Sequence, residues 1–242
     1  MEKPGTAIVT GAGKRIGADV AAALVERGWT VLAHVRREGD EVPAGAKAAA
    51  AELGDPDCAE RIFVAAEGLP PVRLLVNNAA RFAWDGFGEF DVEEFDAHMK
   101  ANVQAPVLLM QEMAARHTGG DALVVNMLDS KVVAPNPDFL SYTLSKHALL
   151  AASELAARAL APKGIRVNAV APALMLKSPG QSDENFRAMH ENNPLGRGVT
   201  SADIIAAIDY LIASPAVTGE LLTIDGGQRL DPPNRDVQFL EP

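Results

Sequence analysis

Tyr142 and Lys146 stand four residues apart in Tyr142-Thr143-Leu144-Ser145-Lys146. On a helix that spacing puts both side chains on one face, with Cβ atoms about 5–6 Å apart. A free phenol has a pKa of about 10 and gives up its proton reluctantly near neutrality. A neighbouring ammonium favours the phenolate and draws that pKa toward the range a general acid or base needs. From Phe139 to Leu160 the apolar residues recur at threes and fours, and Pro162 follows, which predicts the helix the pair requires. Taken alone, the spacing also fits two surface residues on an amphipathic helix.

The remaining chain supplies elements that would position such a pair. Thr6 to Thr10 reads as a short buried strand running into Thr10-Gly11-Ala12-Gly13-Lys14-Arg15-Ile16-Gly17, and an alanine-rich helix follows to a stop near Gly28. Strand, glycine turn and helix make a cradle for a dinucleotide pyrophosphate, because glycine admits close backbone approach and the helix end offers N–H groups. A plain tight turn fits the same residues. A strand over Thr30–Val35 ends in Arg36-Arg37. An acidic residue there would hold a ribose 2′-hydroxyl, whereas arginine accommodates a 2′-phosphate, so the pair favours NADP over NAD or is a solvated basic turn. Ala46 to Leu53 has helical propensity, but βα alternation demands a strand, expected near Ala48–Leu53 after a short crossover.

A helix over Asp55–Glu67 ends at Gly68-Leu69-Pro70-Pro71, and a buried strand over Val72–Val76 runs into Asn77-Asn78-Ala79-Ala80. Asparagines just past a parallel strand lie where such sheets bind ligands, and they also suit turns. Helices follow over Val92–Ala101 and Val103–Arg116, with Asn102 at their junction and Leu108, Leu109, Met110 and Met113 facing the core. A strand over Ala122–Met127 precedes Asp129-Ser130, and one over Ile165–Val170 precedes Ala171-Pro172-Ala173. Residues 173–198 have no clear period and read as a lid or binding loop. A helix over Ser201–Ala213, capped by Ser201 or Thr200, and a strand over Leu221–Ile224 complete the pattern before Asp225-Gly226-Gly227. The expected fold is a single α/β domain over residues 1–230, a Rossmann-type doubly wound parallel sheet of about seven strands with helices on both faces. A tail spans residues 229–242.

At 242 residues and 48% hydrophobic content the chain can bury one large core. The net charge of −10, with basic residues scattered, argues against a nucleic-acid surface. The single cysteine, Cys58, excludes an intrachain disulfide and a cysteine-built metal site. His34, His98, His117, His147 and His190 show no paired ligand spacing, so no metal is expected. No apolar run reaches about 18 residues and the start lacks a signal-peptide pattern. The expectation is a soluble cytoplasmic protein acting on a small molecule.

From Thr6 to about Leu230 the ordered set of motifs resembles the short-chain dehydrogenase/reductase family. Tyr142 and Lys146 match its Tyr-x-x-x-Lys, Asn77-Asn78-Ala79 its Asn-Asn-Ala-Gly (Ala80 replacing the last glycine), Asn102 its asparagine, and Asp225-Gly226-Gly227 its late Asp-Gly-Gly. Two departures narrow the resemblance. Arg15 replaces the middle glycine of Thr-Gly-x-x-x-Gly-x-Gly, and Asp129 replaces the serine thirteen residues before the tyrosine. Both, with Phe82 placed like a pterin-stacking phenylalanine and the short crossover at residues 38–47, are similar to the pteridine and dihydromonapterin reductase branch.

This resemblance implies NADPH bound by Gly11, Gly13, Lys14, Arg15, Ile16, Gly17, His34, Arg36, Arg37, Glu52, Leu53, Asn78, Ala79, Ala80, Tyr142, Lys146 and Pro172. Glu52 stands where the family has an adenine-binding aspartate. Tyr142, Lys146, Asp129 and Asn102 are the implied catalytic set, with Lys146 lowering the pKa of Tyr142 and Asn102 ordering a water. Arg15, Phe82, Asp129 and Tyr142 are implied to meet a dihydropterin-like substrate. Competing expectations are a carbonyl/alcohol reductase in which Asp129 is incidental and a nucleotide-binding regulator without turnover. The resemblance also implies a homo-oligomer, most often a tetramer packed through residues 103–116 and 140–160. The tail would then reach a neighbouring subunit's pocket through Arg229 or Arg235.

Overall fold

Among the described residues seven strands pair in the order β3-β2-β1-β4-β5-β6-β7, all parallel. They are β1 Thr6–Val9, β2 Thr30–Val35, β3 Lys47–Ala50, β4 Val72–Asn77, β5 Ala122–Met127, β6 Ile165–Pro172 and β7 Leu221–Ile224. The helices are α1 Arg15–Glu26, α2 Cys58–Ala65, α3 Val92–Met99, α4 Ala105–Arg116, α5 Leu140–Leu160, α6 Asp183–Glu191 and α7 Ser201–Ala213. The computed structural model describes residues 4–177 and 180–240. Residues 1–3 of the expected domain, 178 and 179 of the expected lid, and 241 and 242 of the tail lie outside the described residues.

Helices cover both faces, so the central strands are buried throughout: every residue of β5 and β6 is buried. Alternate side chains feed two cores. Ile8, Leu75 and Val124 meet Ile62 and Phe63 of α2 and Leu109 and Met113 of α4 on one face. Val9, Val76 and Val125 meet Val20 and Leu24 of α1 and Ile204, Ile208 and Leu211 of α7 on the other. Truncating one of these, such as Leu75→Ala, costs about 2–5 kcal/mol. The strand order reverses at β1, which lies between β2 and β4, and a crevice opens there at the carboxyl ends.

Local expectations change at several points. The third strand begins at Lys47 and ends at Ala50, earlier than expected, because it pairs residue for residue with Leu32–Val35, which overrides the helical propensity of its alanines. The helix expected from Asp55 starts at Cys58, after turn bonds from Asp55 N–H to the Glu52 carbonyl and from Cys58 N–H to the Asp55 carbonyl. Asn102 stands at the junction of α3 and α4, as expected. A π-helical turn over Lys100–Gln104 carries α3 into α4 without a break, a device that is common at functional sites. The segment 173–198 is not irregular throughout, since α6 forms within it, capped by Ser182 Oγ accepting Asn185 N–H at 3.0 Å. Asp183 and Glu184 complement the helix dipole in its first turn. Thr200, not Ser201, caps α7, through a reciprocal capping box with Asp203. Among the described residues no helix is long and apolar enough to cross a membrane.

Candidate active site

The carboxyl ends of the strands border one cleft of about 1320 Å³. Every residue expected in the site lines it except Asn102.

At the switch point the glycine loop is locked from below. Thr10 Oγ1 accepts the N–H groups of Asn78 and Ala79 at 2.9 and 3.0 Å, and Asn78 Nδ2 donates back to the Thr10 carbonyl at 2.9 Å. A Cβ on Gly17 would sit 2.2 Å from the Gly11 carbonyl oxygen and 2.5 Å from Asn78 Nδ2, so only glycine fits. Arg15 keeps the backbone of the glycine it replaces: its φ is 55°, a left-handed conformation that costs a non-glycine residue about 1–2 kcal/mol. The residue borders the cleft and is exposed to solvent.

His34 borders the cleft, but its ring nitrogens are engaged by backbone. Nδ1 accepts Gly11 N–H at 3.1 Å and Nε2 lies 3.0 Å from the Ala51 carbonyl, which requires the Nε2–H tautomer. Burial pushes its pKa below the ordinary value, so the ring stays neutral as a strut between the loop and the end of β3. Glu52 is likewise occupied, since Arg36 Nε donates to its Oε2 at 2.5 Å. Arg37, Leu53 and the outer face of Arg36 remain along this end of the cleft.

Tyr142 and Lys146 project from the first turns of α5 and are 6% and 2% exposed. The Tyr142 hydroxyl donates to Asp129 Oδ2 at 2.9 Å, and Asp129 Oδ1 accepts Lys131 N–H at 2.9 Å. Lys146 Nζ donates to the Met127 carbonyl at 2.7 Å and lies 5.6 Å from the Tyr142 ring centroid. This corrects the expected electrostatics. Burial first, and the Asp129 carboxylate second, raise the Tyr142 pKa well above its ordinary value, where a lowering by Lys146 was expected. Burial pushes Lys146 down to about 8, with Asp129 opposing. Near neutrality the arrangement is a protonated phenol beside an ammonium.

Asn102 acts from behind the cleft. Its Oδ1 accepts Arg81 N–H at 2.7 Å, and its Nδ2 donates to the Arg81 carbonyl at 3.0 Å and to Ser145 Oγ at 2.9 Å. The side chain therefore ties the segment after β4 to α5. Phe82, 38% exposed, stacks on Phe139 with centroids 4.3 Å apart and meets Tyr142 edge-on at 4.8 Å.

The tail folds back along its own chain. Arg235 forms a two-bonded pair with Asp138 of the same chain, both at 2.7 Å, and Arg229 pairs with Asp225 at 2.7 Å. Both arginines thus have partners within their own chain. Pro233, Asp236 and Val237 line the cleft instead, and Asp236 pairs with Lys131 at 2.8 Å. Partners about a hundred residues apart leave no periodic signal in the sequence. Among the described residues no cluster of His, Cys, Asp and Glu is arranged for a metal.

A doubly wound parallel sheet with a glycine loop at its switch point and a buried Tyr–Lys pair beside it belongs to the dinucleotide-dependent oxidoreductases. Residues 11–229 match the family model described as enoyl-(acyl carrier protein) reductase. Carbonyl reductase [NADPH] 2 of Sus scrofa is 32% identical over 91% of this chain and 95% of its own. L-xylulose reductase of Homo sapiens is 33% identical over 91% and 94%. The FolM alternative dihydrofolate reductase 1 of Brucella canis, solved with NADP, superposes with a TM-score of 0.90 at 35% identity over 98% of each chain. The chain is a member of the short-chain dehydrogenase/reductase family.

Proposed function

We propose that the protein is an NADPH-dependent reductase acting on a dihydropterin or a similar flat heterocycle. The observation that carries the substrate is the Tyr142–Asp129 hydrogen bond, with a carboxylate where a carbonyl reductase of this family has a serine. The likeness to FolM supports the same reading. The cleft fits the cofactor. A Cβ on Gly11 would come 3.0 Å from Ala79 Cα and one on Gly13 3.0 Å from the Glu41 carbonyl oxygen, so this loop keeps a bare backbone.

NADPH bound here would supply hydride to the carbon of a substrate C=N bond. The Gly11–Gly17 loop and the start of α1 would hold the pyrophosphate, Arg36 and Arg37 the 2′-phosphate, and Lys146 the nicotinamide ribose. Tyr142 delivers the proton to the substrate nitrogen, directly or through Asp129. Asn102 positions α5 rather than touching substrate. Phe82 forms the apolar side of a flat slot, Arg15 lies near the phosphates and the substrate, and residues 173–177 form a lid over the cleft. Val107, Leu144 and Leu155 are exposed apolar residues on α4 and α5, which supports packing through those helices as a homotetramer.

The second reading is a carbonyl reductase, favoured by the identity to the carbonyl and L-xylulose reductases. An NADPH-oxidation screen with dihydropterins, dihydrofolate, quinones, L-xylulose and simple ketones separates the two. We expect dihydropterins to have the highest kcat/KM. Reduction of ketones or L-xylulose with no dihydropterin turnover would leave the carbonyl reading standing.

A further inference from the structure

A second carboxylate reaches the substrate end of the cleft from the C-terminal tail. Asp236 and Lys131 line the cleft together with Tyr142, Asp129 and Phe82, and their side chains are only 10% and 8% exposed. Withdrawing two charges from water is costly even when they pair, so their position in the wall of a binding cleft points to recognition.

The hydrogen-bond inventory shows which of the two has capacity to spare. Lys131 Nζ is committed to Asp236 Oδ2 at 2.8 Å, Asn136 Oδ1 at 2.7 Å and the Asp138 carbonyl at 3.5 Å, which uses all three donors of an ammonium. Asp236 accepts Gln238 N–H on Oδ1 at 3.0 Å and Lys131 on Oδ2. An ionised carboxylate has about four acceptor sites, so about half of its capacity is left. The mount is stiff. Asp236 N–H and both Arg235 bonds converge on Asp138, which is buried. Phe239 of the tail stacks on Phe139 with centroids 6.2 Å apart, and Phe139 stacks in turn on Phe82. The Asp236 charge is also close enough to contribute to the raised pKa of Tyr142.

We infer that Asp236 is a specificity-determining residue whose carboxylate accepts the N–H donors on the amino edge of a flat heterocyclic substrate. Lys131 is a positioning residue that keeps the Asp236 carboxylate aimed. The inference rests on the heterocycle reading above. It adds that the chain's own tail, not only Asp129, meets the polar edge. Asp129 has one oxygen engaged by Tyr142 and the other by Lys131 N–H, which leaves it about as much acceptor capacity as Asp236, so a substrate with several donors can use both carboxylates. A simple diketone presents no such donors and gains nothing from Asp236.

The test is the ratio of kcat/KM for dihydrobiopterin to that for diacetyl, measured with NADPH on the full chain. Asp236→Asn should lower this ratio about 10- to 100-fold, chiefly through the KM for dihydrobiopterin, as expected for loss of a hydrogen bond to a charged group. The double substitution Lys131→Met/Asp236→Leu removes the pair together, which a buried site tolerates far better than loss of one partner. It should reproduce the fall without lowering the melting temperature much. An unchanged ratio in both variants, with dihydrobiopterin still reduced, would overturn the role of Asp236 and leave the heterocycle reading in place. A fall carried by kcat alone would also overturn it. Failure of the unaltered enzyme to reduce dihydrobiopterin would remove both.

Discussion

The hydroxyl of Tyr142 donates to Oδ2 of Asp129 across 2.9 Å. Because an ionised carboxylate only accepts, this bond fixes the phenol as the donor, and burial with the Asp129 charge raises its pKa. Replacing the carboxylate by a hydroxyl removes that charge and an acceptor for the substrate edge. Asp129→Ser should therefore reduce kcat/KM for a dihydropterin at least about tenfold more than for a simple ketone. Equal losses on both substrates would make Asp129 incidental to substrate choice.

Tyr142→Phe removes the proton donor and little else, since the ring retains its contacts with Phe82 and Lys146. Turnover should fall by about 10²–10⁴-fold, with NADPH affinity within severalfold of the unaltered protein. Fluorescence titration with NADPH and steady-state assays check both halves. Near-normal turnover would remove Tyr142 from the acid's role.

Lys146 has a pKa of about 8 in the fold against an ordinary 10.5. Between those values the unfolded chain holds a proton that the folded chain has lost, so this group's contribution to stability rises with pH across that window and is least favourable below about 8. Activity runs in the opposite direction if the ammonium is required. We expect kcat/KM to decline as pH rises through about 8, while denaturant unfolding shows no parallel loss from this group. A rate profile that stays level to about pH 9.5 would speak against a charged Lys146.

Arg36 and Arg37 border the cleft beyond β2, and Arg36 is braced by Glu52. Each charge-assisted phosphate interaction is worth about 1.5–3 kcal/mol, or roughly 10- to 150-fold. The double change Arg36→Ala/Arg37→Ala should shrink the NADPH-over-NADH ratio of kcat/KM by at least that range's lower end. An unaltered ratio would place cofactor choice elsewhere.

Gly17→Ala tests the cradle. The added Cβ would meet the Gly11 carbonyl oxygen at 2.2 Å, and overpacking of this kind typically costs about 1–3 kcal/mol. We expect a lower melting temperature and a KM for NADPH raised at least about tenfold. Ala18, next along α1 and exposed to a greater degree, provides the control position: Ala18→Ser should leave both nearly as they are.

What the sequence determined was everything encoded by local spacing. Buried runs such as Ala122–Met127, the period of α5 and the order of strand, glycine turn and helix follow from residues a few positions apart, and they are sufficient for the parallel sheet and its switch point. Tyr142 and Lys146 were legible for the same reason, being one helical turn apart. What only the tertiary structure decided was which partner each polar group takes. Lys146 turns to Met127 because the end of β5 presents an open carbonyl beneath α5. His34 braces Gly11 because β3 ends one residue before Ala51. The tail reaches the cleft because Arg235 and Asp236 find Asp138 and Lys131 about a hundred residues earlier. Pairings of that kind depend on distances set by packing, and burial then moves the pKa values of Tyr142 and Lys146 by removing water that no sequence motif describes.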